Sequence, residues 1–351
     1  MKVLQIIDGE QFGGIAKVLK DIENNMCSDI EFDFLTSVSI NDNWKNLNIS
    51  RKNIKGKIIY NHRLYRLLKK NKYDIVHINS GVFLFSFQIA LIAKLAGVKN
   101  IVAHSHSVPA NTKIKKKLIK LLNPIYRKIA KTHLACSSSA AKSLFTKTKN
   151  VTIIKDGIEI EKFKYNKQIR NKYRKELNLE NKKVYGNIAN FDKVKNHEFL
   201  INLFYELEKK QDSILLLVGT GNLENNIKEK VKKMNLEDKV IFLGCRKNIN
   251  NLLNCMDVYL FPSYSEGLGI TLIEAQTTGL PVVVSKGIPD EAKIIEEFYK
   301  IDSYEINEWE KVLENIKYIN RKNKYKKTIE NGYDIKEISK QLEQIYKDLV
   351  K

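Results

Sequence analysis

The 351-residue chain has four cysteines, Cys27, Cys136, Cys245 and Cys255, and no two of them stand in CxxC spacing. That scatter argues against a zinc site or a disulfide framework and fits a reduced protein. No apolar run reaches the roughly 18 residues that a membrane span needs. The longest, Val82 to Val98, is interrupted by Gln88 and Lys94 and reads as a buried helix. The opening MKVLQIID is a short strand pattern, too short for a signal peptide, so a cytoplasmic protein is expected. Acidic residues are missing from one place in particular. Between Ile75 and Lys155 there is none, while the same stretch carries KIKKKLIK (113–120) and RKIAK (127–131). A Lys-rich coding bias explains part of the net charge of +21, but bias does not clear Asp and Glu from a single segment. A surface of one sign attracts phosphorylated substrates or anionic lipid. Nucleic acid fits poorly, because no stacking-aromatic or recognition-helix pattern accompanies the lysines.

What is present is alternation. KVLQII, FDFLT, IVHIN, IVAHS, HLACS and VTII predict strands in the first half, with helical patterns between them. After a charged, strand-poor stretch (Glu161 to Lys182), VYGNIA, SILLLVG, KVIFLG, VYLFPS and PVVVS repeat the arrangement. Strand–helix alternation predicts parallel sheets covered on both faces, here two doubly wound, Rossmann-like α/β domains. The expected divisions are 1–165, 166–334 and an amphipathic helix at 335–351 that returns to the first domain. Ligands of such sheets bind beyond the carboxyl ends of strands, where loops meet helix N-termini.

The informative motifs fall at those strand ends. In SEGLGITLIEAQ (265–276), Gly267 and Gly269 let backbone approach a ligand, and amides near Ile270 face an anion. Phosphate repels a bare carboxylate, so the natural partners of Glu266 and Glu274 are neutral hydroxyls; the plainer reading is that both favour the helix dipole. Lys195 precedes Asn196, a candidate N-cap for HEFLINLFYELEKK, and by itself reads as an ordinary surface lysine. Glycine pairs or GxG patterns occur at Gly13 and Gly14 and at Gly219 and Gly221. AHSHS supplies His104 and His106, GCRKN supplies Arg246, and Asp156–Gly157 of KDGIE reads as a structural turn. The nearest imitation of a metal-binding Asp-x-Asp, DIEFD (29–33), belongs to a strand pattern.

Taken in order, GEQFGGIAKVL, AHSHS, IIKDGIEIEKF, DKVKNHEFLI, LLLVGTGN, VIFLGCRKNINNLL, CMDVYLFPS and SEGLGITLIEAQTTGLPVVVS resemble the family 4 retaining glycosyltransferases. Bacterial capsular and exopolysaccharide members are the most similar. The resemblance implies the GT-B fold, two Rossmann-like domains facing across a cleft. It implies a retaining, metal-independent hexosyl- or N-acetylhexosaminyltransferase with no cofactor, acting from a nucleotide sugar onto a glycan or lipid-linked glycan. Glu266 would hold donor-sugar hydroxyls, Glu274 the ribose, and amides of Gly267, Leu268, Gly269 and Ile270 the diphosphate. Lys195 would stabilise the departing diphosphate, and His106 would touch the donor sugar near the reacting carbon. Gly13 and Gly14 would allow close approach of phosphate or acceptor; Gly219, Gly221 and Arg246 would seat base and phosphates.

One departure stands out: Asn190 occupies the position of a family arginine that contacts the same phosphates as Lys195. Lys193 is a candidate substitute. Two other readings stay open, a degenerate non-catalytic partner subunit and a sugar-nucleotide epimerase on the same fold. A lipid-linked acceptor would bring the enzyme to the inner face of the cell membrane as a peripheral protein. There the segment from Lys113 to Lys131, with Ile114, Leu118, Ile119, Leu121 and Leu122 among its lysines, would lie on anionic lipid as an amphipathic helix.

Overall fold

The computed structural model describes every residue except 9–13, 37–44, 47–52, 109–112 and 317–319. The chain divides into two compact units, Met1–Ile158 together with Tyr333–Lys351, and Glu159–Gly332.

The first unit runs β1 (Lys2–Ile7), α1 (Gly14–Asn25), β2 (Glu31–Thr36), β3 (Lys45–Asn46), α2 (Ile54–Asn71), β4 (Ile75–Asn79), α3 (Phe83–Leu95), β5 (Asn100–Ser105), α4 (Lys113–Ile129), β6 (Thr132–Ala135), α5 (Ser138–Phe145) and β7 (Thr152–Ile153). Its seven-stranded sheet has the order β3-β2-β1-β4-β5-β6-β7, with parallel pairing. β4 shows why a parallel strand reads as an unbroken apolar run: all five residues of IVHIN are buried, since helices cover both faces. The Val82–Val98 run departs from its expected burial. Phe83, Phe85, Ile89 and Ala93 of α3 face the core, but Leu84 and Leu95 are 43% and 72% exposed. DIEFD is strand structure: Asp33 accepts from the Tyr73 hydroxyl at 2.6 Å and pairs with Lys2.

The second unit runs α6 (Lys167–Glu176), β8 (Lys183–Ile188), α7 (His197–Lys210), β9 (Ser213–Val218), α8 (Glu224–Lys233), β10 (Val240–Phe242), α9 (Ile249–Cys255), β11 (Val258–Phe261), α10 (Ile270–Thr277), β12 (Val282–Ser285), β13 (Phe298–Ile301), α11 (Ile306–Glu314) and α12 (Tyr325–Glu330). The sheet order is β10-β9-β8-β11-β12-β13, again parallel. The charged stretch after residue 161 is largely α6, which buries no residue and is tied on by its arginines. Arg174 donates to Asp257 at 3.1 Å and Arg170 to the Met256 carbonyl at 2.8 Å. Burial works against the Asp257 charge, yet the two guanidiniums hold its carboxyl below the usual range.

The chain then returns to the first unit as α13 (Ile335–Val350). Asp334 caps the helix by accepting from Lys336 N at 3.0 Å, and Ile338, Leu342 and Tyr346 are buried. Gly157 makes room for it, because a Cβ there would lie 2.7 Å from Ile338 Cδ1. No helix among the described residues is long and apolar enough to cross a membrane. In both sheets the strand order reverses beside the first strand, between β1 and β4 and between β8 and β11. Crevices for ligands open at such points, at the carboxyl ends of the strands.

Candidate active site

The loops leaving β8 and β11 carry Asn190, Lys195, Glu266 and the glycines. Asp192 winds the first loop by accepting from Val194 N at 2.8 Å and Lys195 N at 3.1 Å. Asn196 then takes a left-handed conformation (φ 56°, ψ 45°) and makes no side-chain cap bond to α7. The cap expected there is therefore a backbone role, which suits asparagine because it tolerates this region. Tyr264 N donates to the Val194 carbonyl at 2.8 Å and Glu266 N to the Gly287 carbonyl at 3.1 Å, so the two loops are fixed against each other.

The result is an ion pair. Lys195 Nζ donates to Glu266 Oε1 at 2.6 Å, with side chains only 21% and 11% exposed, and the ammonium sits 5.4 Å above the Phe261 ring. Next to it His197 is buried and stacked on Phe191 at 4.2 Å. Burial, then the Lys195 charge, push its pKa down to about 4, so it stays neutral.

Gly269 opens α10 at φ +83°. Its carbonyl accepts from Leu272 N at 2.9 Å, the first such bond of the helix. The amides of Ile270 and Thr271 precede it, at the positive end of the helix. Gly267 and Leu268 are buried, and Ile270 is half-buried. Glu274, one turn on, is 1% exposed. Both glutamates act on Tyr259, whose hydroxyl is pushed well above its ordinary pKa by burial first and by their charges next.

Gly219 and Gly221 bring a third loop in. A Cβ at Gly219 (φ +137°) would fall 2.1 Å from the Ala189 carbonyl oxygen, and one at Gly221 would fall 2.5 Å from that of Phe191. The glycines thus seat the loop after β9 against the backbone around Asn190. Asn190 and Lys193 are exposed, and so is Arg246 in the loop after β10. No described contact joins Arg246 to the Lys195–Glu266 pair.

The first unit holds the remaining candidates. Gly13 lies outside the described residues; Gly14 opens α1 and is exposed. His106 is 6% exposed, with Nδ1 2.7 Å from Asp156 Oδ1 and Nε2 3.1 Å from Asn79 Oδ1. Asn79 donates on to Gln5 at 2.8 Å, and Gln5 to the Tyr346 hydroxyl at 2.9 Å. Asp156 is therefore the partner of His106 as well as a turn residue. His104 packs against His106 at 3.9 Å and His77 at 5.3 Å. Burial, with the His106 charge adding, holds His77 down to about 3 and His104 well below the imidazole range. Among the described residues, one group has metal-ligand types close together: His106, Cys136 and Asp156, with ligand atoms within 4.8 Å of one another. Its imidazole and carboxylate share a direct hydrogen bond that leaves no place for an ion between them. Burial, then Asp156, raise the Cys136 thiol, so it stays protonated.

Residues 169–335 match the family Glycosyl transferases group 1, and residues 38–162 match Glycosyltransferase Family 4. A UDP-Gal:alpha-D-GlcNAc-diphosphoundecaprenol alpha-1,3-galactosyltransferase of Escherichia coli is 32% identical over 311 residues, covering 82% of this chain and 78% of that protein. The chain belongs to the family 4 glycosyltransferases. The capsular polysaccharide biosynthesis glycosyltransferase CapH of Staphylococcus aureus is 26% identical over 305 residues, covering 83% of this chain and 81% of that protein. The solved structure of Anabaena HepE in complex with UDP-glucose matches with a TM-score of 0.82 at 17% identity, over 99% of this chain and 100% of that one. The fold of this glycosyltransferase is GT-B. Its Lys195–Glu266 pair lies in the group 1 segment and its His106–Asp156 pair in the family 4 segment.

Proposed function

We propose that this glycosyltransferase moves a sugar from a UDP-sugar to a lipid-linked glycan in capsular or extracellular polysaccharide assembly, with retention and without a metal ion. The Lys195–Glu266 pair beside the start of α10 carries the reading. A diphosphate suits the ammonium of Lys195 together with the first amides of α10. A carboxylate next to it suits sugar hydroxyls, and Glu274 suits those of the ribose. UDP and the lipid-linked acceptor are supported by the relatives, HepE being bound to UDP-glucose and the Escherichia coli enzyme being named for UDP-Gal and diphosphoundecaprenol. His106 would meet the sugar by trading the Asn79 oxygen at Nε2 for a donor hydroxyl.

Retention would follow from same-face attack. The bond from the anomeric carbon to the phosphate oxygen breaks as the acceptor oxygen bonds to that carbon, and the leaving phosphate takes the acceptor's proton. Glu266, tied to Lys195, is poorly disposed as a nucleophile. The rate would rest on positioning and electrostatics, with Lys195 providing the positive charge that a divalent ion would otherwise bring.

Membrane attachment is the second part of the proposal. Ile119 and Tyr126 of α4 face the core and Leu122 packs against it, whereas Leu118, Leu121 and Ile125 are 38%, 72% and 50% exposed. Lys116, Lys117, Lys120 and Lys128 are exposed on the same helix. Such a face suits anionic lipid, at about 1 kcal/mol for each lysine at the surface.

The test is a thermal-shift panel of nucleotide sugars, followed by transfer to diphosphoundecaprenol-linked N-acetylglucosamine. UDP-sugars are expected to stabilise, product anomers to match the donor by NMR, and EDTA to leave the rate unchanged. A panel in which no UDP-sugar stabilises refutes the donor, and conversion of a UDP-sugar with no acceptor identifies an epimerase instead.

A further inference from the structure

The Glu266 carboxylate is bonded to the Lys195 ammonium, which among the described residues is the one cation within ion-pair distance of it. The other titratable groups beside it are Tyr259, fully buried with its hydroxyl 2.9 Å from Thr271 Oγ1, and buried Glu274. Nearby His197 is held neutral. A carboxylate this enclosed depends on its one partner to stay charged.

A UDP-sugar and UDP differ in what they offer this corner. The sugar nucleotide brings a diphosphate that attracts Lys195 and, beyond it, hydroxyls that can donate to Glu266. UDP brings the diphosphate alone, with extra negative charge on its terminal phosphate. With UDP, Lys195 is shared or drawn away, no hydroxyl replaces it, and negative charge arrives beside an enclosed carboxylate. Each of these changes disfavours the ionised form of Glu266.

We infer that Glu266 distinguishes sugar-bearing from sugar-free nucleotide through its own proton: UDP binds with proton uptake at Glu266, and a UDP-sugar binds with Glu266 ionised. The inference rests on the donor reading above. Near neutral pH the proton is scarce, so the nucleotide left after transfer is held less firmly than the donor that must replace it. The pair then favours product release, and Glu266 is a specificity residue as well as a sugar ligand.

The sign of the effect follows from linkage. The UDP complex holds one more proton than the free protein, so UDP affinity rises as pH falls. The terminal phosphate of UDP titrates near pH ~6 with the opposite sign, and it does so equally when Glu266 is glutamine. The measurement is therefore the ratio of UDP affinities, full-length wild type over Glu266→Gln, by calorimetry between about pH 5 and 8. The ratio is expected to fall as pH rises, by up to about tenfold per pH unit. Buffers of different ionisation heat should report more protons taken up by the wild type. Glu266→Asp, which keeps the charge, should restore the slope, and circular dichroism checks that both variants fold. For the UDP-sugar selected by thermal shift, the ratio should not vary with pH. UDP binding with a flat ratio, or an equal slope for the UDP-sugar, overturns this inference alone; absence of UDP binding at every pH overturns the donor reading with it.

Discussion

Lys195 can be removed without opening a hole in a core, because its side chain lies along a loop and over one ring face. Lys195→Ala should lower kcat/KM by about 10- to 100-fold, the loss of a charged hydrogen bond worth roughly 1.5–3 kcal/mol, while circular dichroism shows a retained cooperative melt. Normal turnover, or an unfolded variant, contradicts its phosphate role. Glu274→Gln preserves shape in a site that is 1% exposed. UDP affinity by calorimetry should fall about tenfold or more; unchanged affinity with a lowered melting temperature would make Glu274 a packing residue. At this scale the two loop carboxylates and the lysine were legible because their motif is contiguous. Asp156 was read only as a turn residue. Its bond to His106 joins positions 50 apart, through a strand register that no local pattern displays. The Asn79–Gln5–Tyr346 chain was invisible for the same reason.

Among elements, strands buried on both faces were easy to see, since SILLLV is buried along its whole length. β13 was missed because FYKI is four residues long with two of them partly exposed, and β3 because two residues carry no pattern. The glycines of VGTGN were correctly singled out, and part of what they do is now physical: they admit the neighbouring loop. Gly219→Ala sets a methyl 2.1 Å from the Ala189 oxygen and should destabilise by roughly 2–4 kcal/mol in urea unfolding. Gly244 (φ +63°) has nothing within 4 Å of a built Cβ, so Gly244→Ala should cost only about 1–2 kcal/mol, the left-handed backbone alone. Equal costs would show that crowding is not what selects glycine at residue 219. For α4, Leu121→Glu alters a side chain that is 72% exposed and should leave folding intact. It should weaken co-sedimentation with anionic vesicles, as should exchanging Lys116, Lys117 and Lys120 for Glu, and high salt should release the wild type. Equal partitioning onto neutral vesicles would refute an electrostatic contact.

For the molecule as a whole, buried neutral histidines are unevenly shared. His77, His104 and His133 of the first unit and His197 of the second all have depressed pKa values, with burial the first cause of each. An imidazole that stays neutral when folded but titrates near 6.5 when unfolded contributes stability above that pH. The contribution is lost as pH falls below it toward the folded value, about 3 for His77 and about 4 for His197, at up to about 1.4 kcal/mol per pH unit for each ring. The first unit should therefore unfold first on acidification. With Trp44→Phe, the fluorescence of buried Trp309 reports the second unit, and its change should come at lower pH than the first loss of far-ultraviolet circular dichroism. A single coincident transition would refute the asymmetry. The returning α13 has a consequence for the order of events on the ribosome. Residues 159–332 emerge without interruption, so the second unit has all its strands before Tyr333 is translated. The first unit begins the chain yet must wait, because the bond from Gln5 to Tyr346 spans 341 positions. Until then Val18 and Ile22 of α1, buried in the finished protein, lack the helix that packs beside them. A stalled nascent chain would offer chaperones and proteases its oldest helix, α1.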